Sequence, residues 1–190
     1  MFSYDPQNGQ VLSRETFQGF SNNSTWARGE AWGIYGFTIV YRETKDKRFL
    51  NTARQMADFY LHNHRLPADK IPLWDFNVNE PGFVPLWKYD ARQFSYIPRD
   101  ASAAAITASA FLELSTQLGQ EGKPYFNAAV EILKSLSGRN YLAKQGTNNN
   151  FILKHSVGSI PHGFEIDKPI VYADYYFLEA LLRYQKIASH

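Results

Sequence analysis

Asp100 to Gly138 reads DASAAAITASAFLELSTQLGQEGKPYFNAAVEILKSLSG, and this stretch decides the fold. Asp100 is placed to cap a helix through Leu118, on which Ala104, Ala108, Phe111, Leu112 and Leu118 return at helical spacing, and Gly119 stops it. A second helix follows directly. Pro124 suits its first turn, Ala128, Ala129, Ile132, Leu133 and Leu136 share a face, and Gly138 lies just past its end. Two amphipathic helices with so short a connection form an antiparallel hairpin.

The same unit stands upstream. Ser24 or Thr25 is placed to cap a helix to about Glu43 carrying Ala31, Ile34, Tyr35, Thr38 and Tyr41 on one side. Asp46 opens another, whose Phe49, Ala53, Met56, Ala57 and Tyr60 form a stripe ending near Asn63. Gly29, Gly33 and Gly36 cost the first of these roughly 1 kcal/mol each against Ala, which implies close approach by another helix or a ligand. A fifth helix is expected from about Val171 to Ile187, with Ala173, Phe177, Ala180, Leu181 and Tyr184 on one side. Residues 1–24 read as loop, with at most a short strand at Gln10-Val11-Leu12. Residues 66–98 hold Pro67, Pro72, Pro81, Pro85 and Pro98 with Trp74 and Trp87, an ordered loop rather than a helix. Gly146–Asn150 is a polar loop, His155–Pro169 is turn-rich, and no strand alternation stands out.

Helix, short turn, helix, long loop is the repeat of an all-α architecture, the α/α toroid, in which paired helices stack around an axis. A chain that opens in a loop and closes on an unpaired fifth helix reads as about half of such a ring, residues 1–190 forming part of one domain. A free-standing helical bundle is the alternative. An open half-ring leaves two apolar helix faces uncovered, so self-association is expected.

Composition narrows the function. The 190 residues carry 20 Lys plus Arg against 18 Asp plus Glu, a balance from which neither nucleic acid nor a membrane surface can be read as partner. The 4 Trp, 12 Tyr and 14 Phe exclude a solvated coil. With no cysteine, disulfides, Cys-zinc sites, iron–sulfur clusters and thiol nucleophiles are excluded. His62, His64, His155, His162 and His190 do not group with carboxylates on one helical face, so no metal and no cofactor is expected. Met1-Phe2-Ser3-Tyr4-Asp5-Pro6 reads as mid-protein loop rather than a natural start.

The densest run of chemistry is Ser24-Thr25-Trp26-Ala27-Arg28-Gly29-Glu30-Ala31-Trp32-Gly33. Arg28 and Trp32 are four apart and so neighbours on one side of the helix. An Arg beside two tryptophans suits an acidic sugar, because guanidinium pairs a carboxylate bidentately and indole stacks on a pyranose face. A buried aromatic helix with one snorkelling Arg fits the same spacing.

Gln18-Gly19-Phe20-Ser21 followed by that run resembles the signature of glycoside hydrolase family 88, the unsaturated glucuronyl hydrolases. Trp74-Asp75-Phe76, Arg99-Asp100-Ala101-Ser102-Ala103-Ala104-Ala105, Lys154-His155-Ser156-Val157-Gly158 and Tyr172-Ala173-Asp174-Tyr175-Tyr176-Phe177 continue it in order, covering nearly the whole chain. The resemblance implies a bacterial enzyme with a six-hairpin α/α toroid of about twice this length, of which this chain is the C-terminal half. Cytoplasm and periplasm both stay open. It implies release of the 4,5-unsaturated uronic acid that polysaccharide lyases leave on glycosaminoglycan or related oligosaccharides. The chemistry is vinyl-ether hydration: an Asp donates a proton to C4, water adds at C5, and the hemiketal opens, unlike the two-carboxylate scheme of ordinary glycosidases.

By the same resemblance Gln18, Trp26, Arg28 and Trp32 line the substrate pocket. Trp74 either lines the cleft mouth or packs between loop and helices. Ser156 and Ser159 fall in a Ser-x-x-Ser-x-Lys pattern associated with substrate sulfate, though Pro161 stands where the pattern has Lys. Among the tyrosines of 172–176, Tyr175 is preferred as pocket-facing. The family's two catalytic aspartates and its pocket histidine lie upstream of the Gln-Gly-Phe segment, so no catalytic residue is assigned in this chain and the chain alone is expected to be inactive. Asp100 reads as a cap and Asp174 as fixing a helix start. The alternatives are the related unsaturated rhamnogalacturonyl hydrolases and a non-catalytic carbohydrate-binding half-toroid.

Overall fold

The computed structural model describes residues 2–85, 87–88 and 90–189; Met1 and His190, which entered the readings above, lie outside them. Five α-helices form the body: α1 (Ala27–Thr44), α2 (Lys47–His62), α3 (Ala101–Leu118), α4 (Lys123–Leu136) and α5 (Val171–Ala188). Two small antiparallel hairpins, β1 (Phe2–Tyr4) with β2 (Val11–Arg14) and β3 (Ser156–Ser159) with β4 (Phe164–Lys168), accompany them.

The helix boundaries follow local chemistry. Asp46 Oδ1 accepts from the Arg48 amide at 2.9 Å to open α2, and Asp100 Oδ1 accepts from the amides of Ser102 at 3.0 Å and Ala103 at 3.3 Å to open α3. Gly119 ends α3 with φ 58° and ψ −126°, a conformation only glycine adopts without strain. A Cβ on Gly122 would lie 2.2 Å from the Ser115 carbonyl oxygen, so the α3–α4 corner closes only because that residue is glycine.

Helix α1 starts differently from the expectation. Its N-cap is Trp26, with no side-chain cap bond; the Ala27 amide donates instead to the Trp74 carbonyl at 3.1 Å, while the Ser24 hydroxyl donates to Asp75 Oδ2 at 2.7 Å. A distant loop thus does what a local Ser or Thr was expected to do. Asp174 likewise does not start α5: from the helix's first turn its carboxylate accepts from the amides of Ile152 and Leu153, each at 2.8 Å, and ties the preceding loop down. Of the three α1 glycines, Gly33 faces the Met56 side chain of α2 and Gly29 the Trp26 ring, whereas Gly36 has open space.

Helix α3 is central, packing against α1, α4 and α5, with α1 paired to α2. The first turns of α1, α3 and α5 meet around Arg28, Asp100 and Tyr172, and their far ends around Arg42, Glu113 and Arg183, so these three helices run parallel. Helices α2 and α4 return outside them. The result is an arc of two layers, with a main core built on Ala31, Ile34, Ile106, Phe111, Leu112, Ile132 and Phe177. Phe20, Trp74, Val78, Val157 and Ile160 form a second, smaller core beneath the loops. None of the described helices is long and apolar enough to cross a membrane.

Candidate functional site

The β3–β4 hairpin, which no alternation in the sequence announces, sets the site. All four residues of β3 are buried, and its register shifts between Ser156 and Val157, where an irregularity interrupts the pairing with β4. Arg28, only 3% exposed, holds this strand. Its Nη1 donates to Asp100 Oδ2 at 3.0 Å, to the Val157 carbonyl, and more weakly to Ser102 Oγ at 3.4 Å, while Nη2 donates to the Gly158 carbonyl at 2.7 Å. Asp100 is therefore both the cap of α3 and the carboxylate partner of Arg28. The guanidinium stacks 4.5 Å from the Trp26 ring and 5.3 Å from that of Tyr172.

An aromatic wall continues from there. Trp32 meets Tyr176 edge-on at 5.0 Å and lies 6.4 Å from Tyr172, and Tyr35 meets Tyr176 at 5.2 Å. Burial raises the Tyr172 hydroxyl above its ordinary pKa against the opposing pull of Arg28. Further along, Tyr35 is pushed up to about 12, first by burial and then by Glu179, which accepts its hydrogen bond at 3.2 Å. Glu179 also accepts from Ser109, and Arg183 pairs with Glu113, so charges tie α1, α3 and α5 together. At their C-terminal ends a cavity of about 660 Å³ is lined by Arg42, Leu112, Glu113, Thr116, Arg183, Lys186 and Ile187; none of the expected substrate-binding residues lies in it.

The expected residues separate into groups. Gln18 Nε2 donates to the Gly158 carbonyl at 3.1 Å, placing it beside Arg28 and Trp26. Ser156 is buried and its hydroxyl has no partner; the Ser159 hydroxyl meets His162 Nδ1 at 2.7 Å. Trp74 is fully buried in the smaller core, edge-on to Phe20 at 6.2 Å, which is the packing alternative rather than a cleft mouth. Tyr175 is exposed on the free side of α5 and touches Tyr176; Tyr172 is the tyrosine over Arg28. The signal that finds Tyr172 and Tyr176 is their i, i+4 spacing, which puts both on one face of α5 toward Trp32. Asp75 is buried, accepting from the Phe20 amide at 2.8 Å, the Asn77 amide at 2.9 Å and Ser24, and burial raises its pKa despite those bonds. It anchors a loop. Among the described residues no three of His, Asp and Glu are grouped to hold a metal ion.

Chemically, three parallel helix N-termini and a guanidinium converge on one end of the arc, partly offset by Asp100, beside indole and phenol rings. That combination favours a ligand with one negative charge and a flat apolar face.

No family model matches the chain. It is 46% identical over 187 residues to an unsaturated glucuronyl hydrolase of Formosa agariphila, covering 98% of this chain and 43% of the relative. A crystal structure of an unsaturated glucuronyl hydrolase specific for heparin superimposes with a TM-score of 0.89 at 52% identity, over 100% of this chain and 47% of that one. A variant of the enzyme from Streptococcus agalactiae, complexed with dGlcA-GalNAc6S, gives a TM-score of 0.75 at 34% identity, over 97% of this chain and 46% of that one. The chain spans about half the length of the relatives it matches, as an arc of about half a helical toroid does. By sequence along its whole length and by fold, the chain resembles a little under half the length of the unsaturated glucuronyl hydrolases, glycoside hydrolase family 88.

Proposed function

We propose that this chain is the C-terminal half of the toroidal catalytic domain of an unsaturated glucuronyl hydrolase, acting on lyase-generated oligosaccharides that end in a 4,5-unsaturated uronic acid. The observation that carries this reading is the 46% identity to a relative of that name over 98% of the chain. The Arg28 cluster gives it a physical footing. Trp26, Trp32 and Gln18 form the wall against which the uronate lies, and Arg28 supplies positive potential while fixing β3. Direct contact between Arg28 and a substrate carboxylate requires one guanidinium donor to leave its present partner. The Trp26 indole N–H and the Ser156 hydroxyl, both buried without a partner, are the candidates for added hydrogen bonds. Trp74 and Tyr175 act on the pocket indirectly, through the small core and through Tyr176.

No residue of the chain is assigned as proton donor, so the 190-residue chain binds but does not turn over. Loss of the ultraviolet absorbance of the conjugated double bond in an unsaturated chondroitin disaccharide measures this. A flat trace with the chain alone is expected, and steady decay would overturn the assignment of the acid to another part of the enzyme. The exposed apolar stripe of α5, carrying Val171, Leu178 and Leu182, is the face through which the isolated chain is expected to pair with a second copy.

A further inference from the structure

Three rings beside the Arg28 cluster take no part in it. Phe17 is 57% exposed and Phe164 47%, and the exposed His162 ring lies between them, 4.4 Å from Phe17 at an interplanar angle of 35° and 6.1 Å from Phe164 at 38°. They come from two separate parts of the chain, so their meeting is tertiary. Ser159 Oγ meets His162 Nδ1 at 2.7 Å and fixes the orientation of the ring.

The position of this trio is set by backbone that Arg28 already holds. Gln18, next to Phe17, donates to the Gly158 carbonyl, which also accepts from Arg28 Nη2. Phe164 lies over the same residue: a Cβ on Gly158 would stand 3.2 Å from Phe164 Cδ2 and 2.5 Å from Glu165 Oε2, so glycine there lets the ring close down on the strand. The buried end of the site holds Arg28 with its aromatic partners, and the exposed end, about one residue away, holds the three rings with the Glu165 carboxylate beside Phe164.

We propose that Phe17, His162 and Phe164 form a stacking platform for the sugar linked behind the unsaturated uronate. This inference rests on the uronyl-oligosaccharide reading above. With the uronate at the buried Arg28 end, the rest of the oligosaccharide must leave toward solvent, and the platform is what it meets. Aromatic faces receive the axial C–H surface of a pyranose without needing a charge. The rings therefore read the shape of the second sugar.

Saturation-transfer NMR of the 190-residue chain with an unsaturated chondroitin disaccharide separates the two rings of the ligand. Wild-type chain should transfer to protons of both sugars. Phe17→Ala/Phe164→Ala should keep its amide spectrum and its uronate transfer, lose most hexosamine transfer, and weaken affinity about five- to tenfold. His162→Gln, which keeps a partner for Ser159 but no ring, should show an intermediate loss. Unchanged hexosamine transfer in the double variant overturns the platform while leaving the uronate site standing. Absence of any transfer to wild type overturns the site reading itself, and the platform with it.

Discussion

Helices α3 and α5 are both 18 residues long and lie side by side, yet they solve opposite problems. Helix α3 is walled in on every side: fourteen of its residues, Ala101 through Leu112 with Leu114 and Ser115, are buried, and Glu113 is its single ionisable group. Helix α5 buries only Ala173, Phe177 and Ala180, and turns Val171, Tyr175, Leu178 and Leu182 outward, with Leu182 66% exposed. The small residues of α3 let neighbours approach from all directions. On the outer side of α5, Val171, Tyr175 and Leu182 are each more than half exposed, even though Tyr175 touches Tyr176. One helix is covered all round, and the other is open along one side.

The largest effect should come where the covered side is fastened. Arg28→Ala removes the partner of Asp100 and the donors to the Val157 and Gly158 carbonyls in a site closed to water. Breaking a buried pair from one side typically costs about 3–5 kcal/mol, so urea unfolding should shift by that order. A loss below about 1 kcal/mol would mean that β3 is not held by Arg28.

The same truncation at the two helices measures the contrast itself. Leu112→Ala in α3 empties a fully buried site, with an expected cost of about 2–5 kcal/mol. Leu182→Ala in α5, measured at low concentration, should stay within about 0.5 kcal/mol of wild type. Equal losses would erase the distinction.

Much of this arrangement is written locally, and some of it is not. The pairing of α1 with α2 and of α3 with α4 is legible because Asp46, Asp100, Pro124 and Gly119 punctuate strong apolar stripes. The α1 start misleads, since Ser24 and Thr25 look like caps but the Trp74 carbonyl does that work from a loop nearly fifty residues on. The β3–β4 hairpin escapes notice because it is short and its second strand is irregular, with Glu165 and Asp167 inside β4 holding positive φ of 51° and 53° that no hydrophobic pattern marks. Arg28 and its tryptophans are legible as a cluster. That Asp100 is the partner of Arg28, and Tyr172 its lid, depends on helices more than seventy residues apart and becomes visible only when α1, α3 and α5 stand parallel.

A smaller, titratable effect belongs to the other edge of the arc. Burial pushes the Glu30 carboxyl up to about 7, in a recess between α1 and α2 lined by Thr25, Gln55, Met56 and Phe59. Its folded-state pKa lies above the unfolded value, so the folded chain keeps a proton that the unfolded chain has lost. The stabilisation is complete below the unfolded pKa, near 4.5, and disappears as pH rises through about 7. Glu30→Gln should flatten the fall in stability across that window and gain on the order of 2 kcal/mol above it. Parallel pH curves for variant and wild type would show that Glu30 is solvated.

The least change in folding, and the most telling change in state, is expected from Leu178→Ser/Leu182→Ser. Both side chains are already in water in the isolated arc, so each substitution should cost folding only a few tenths of a kcal/mol. What they remove is the apolar stripe on which the proposed self-association rests. Light scattering of the wild-type chain should give a mass above the 21.8 kDa monomer that rises with concentration, and the double variant should move it toward the monomer. A wild-type chain that stays monomeric at high concentration would show that the stripe is tolerated bare. The matching pair inside α3, Leu112→Ser/Leu114→Ser, should unfold the chain instead, so that one chemical change reports association on the open helix and folding on the closed one.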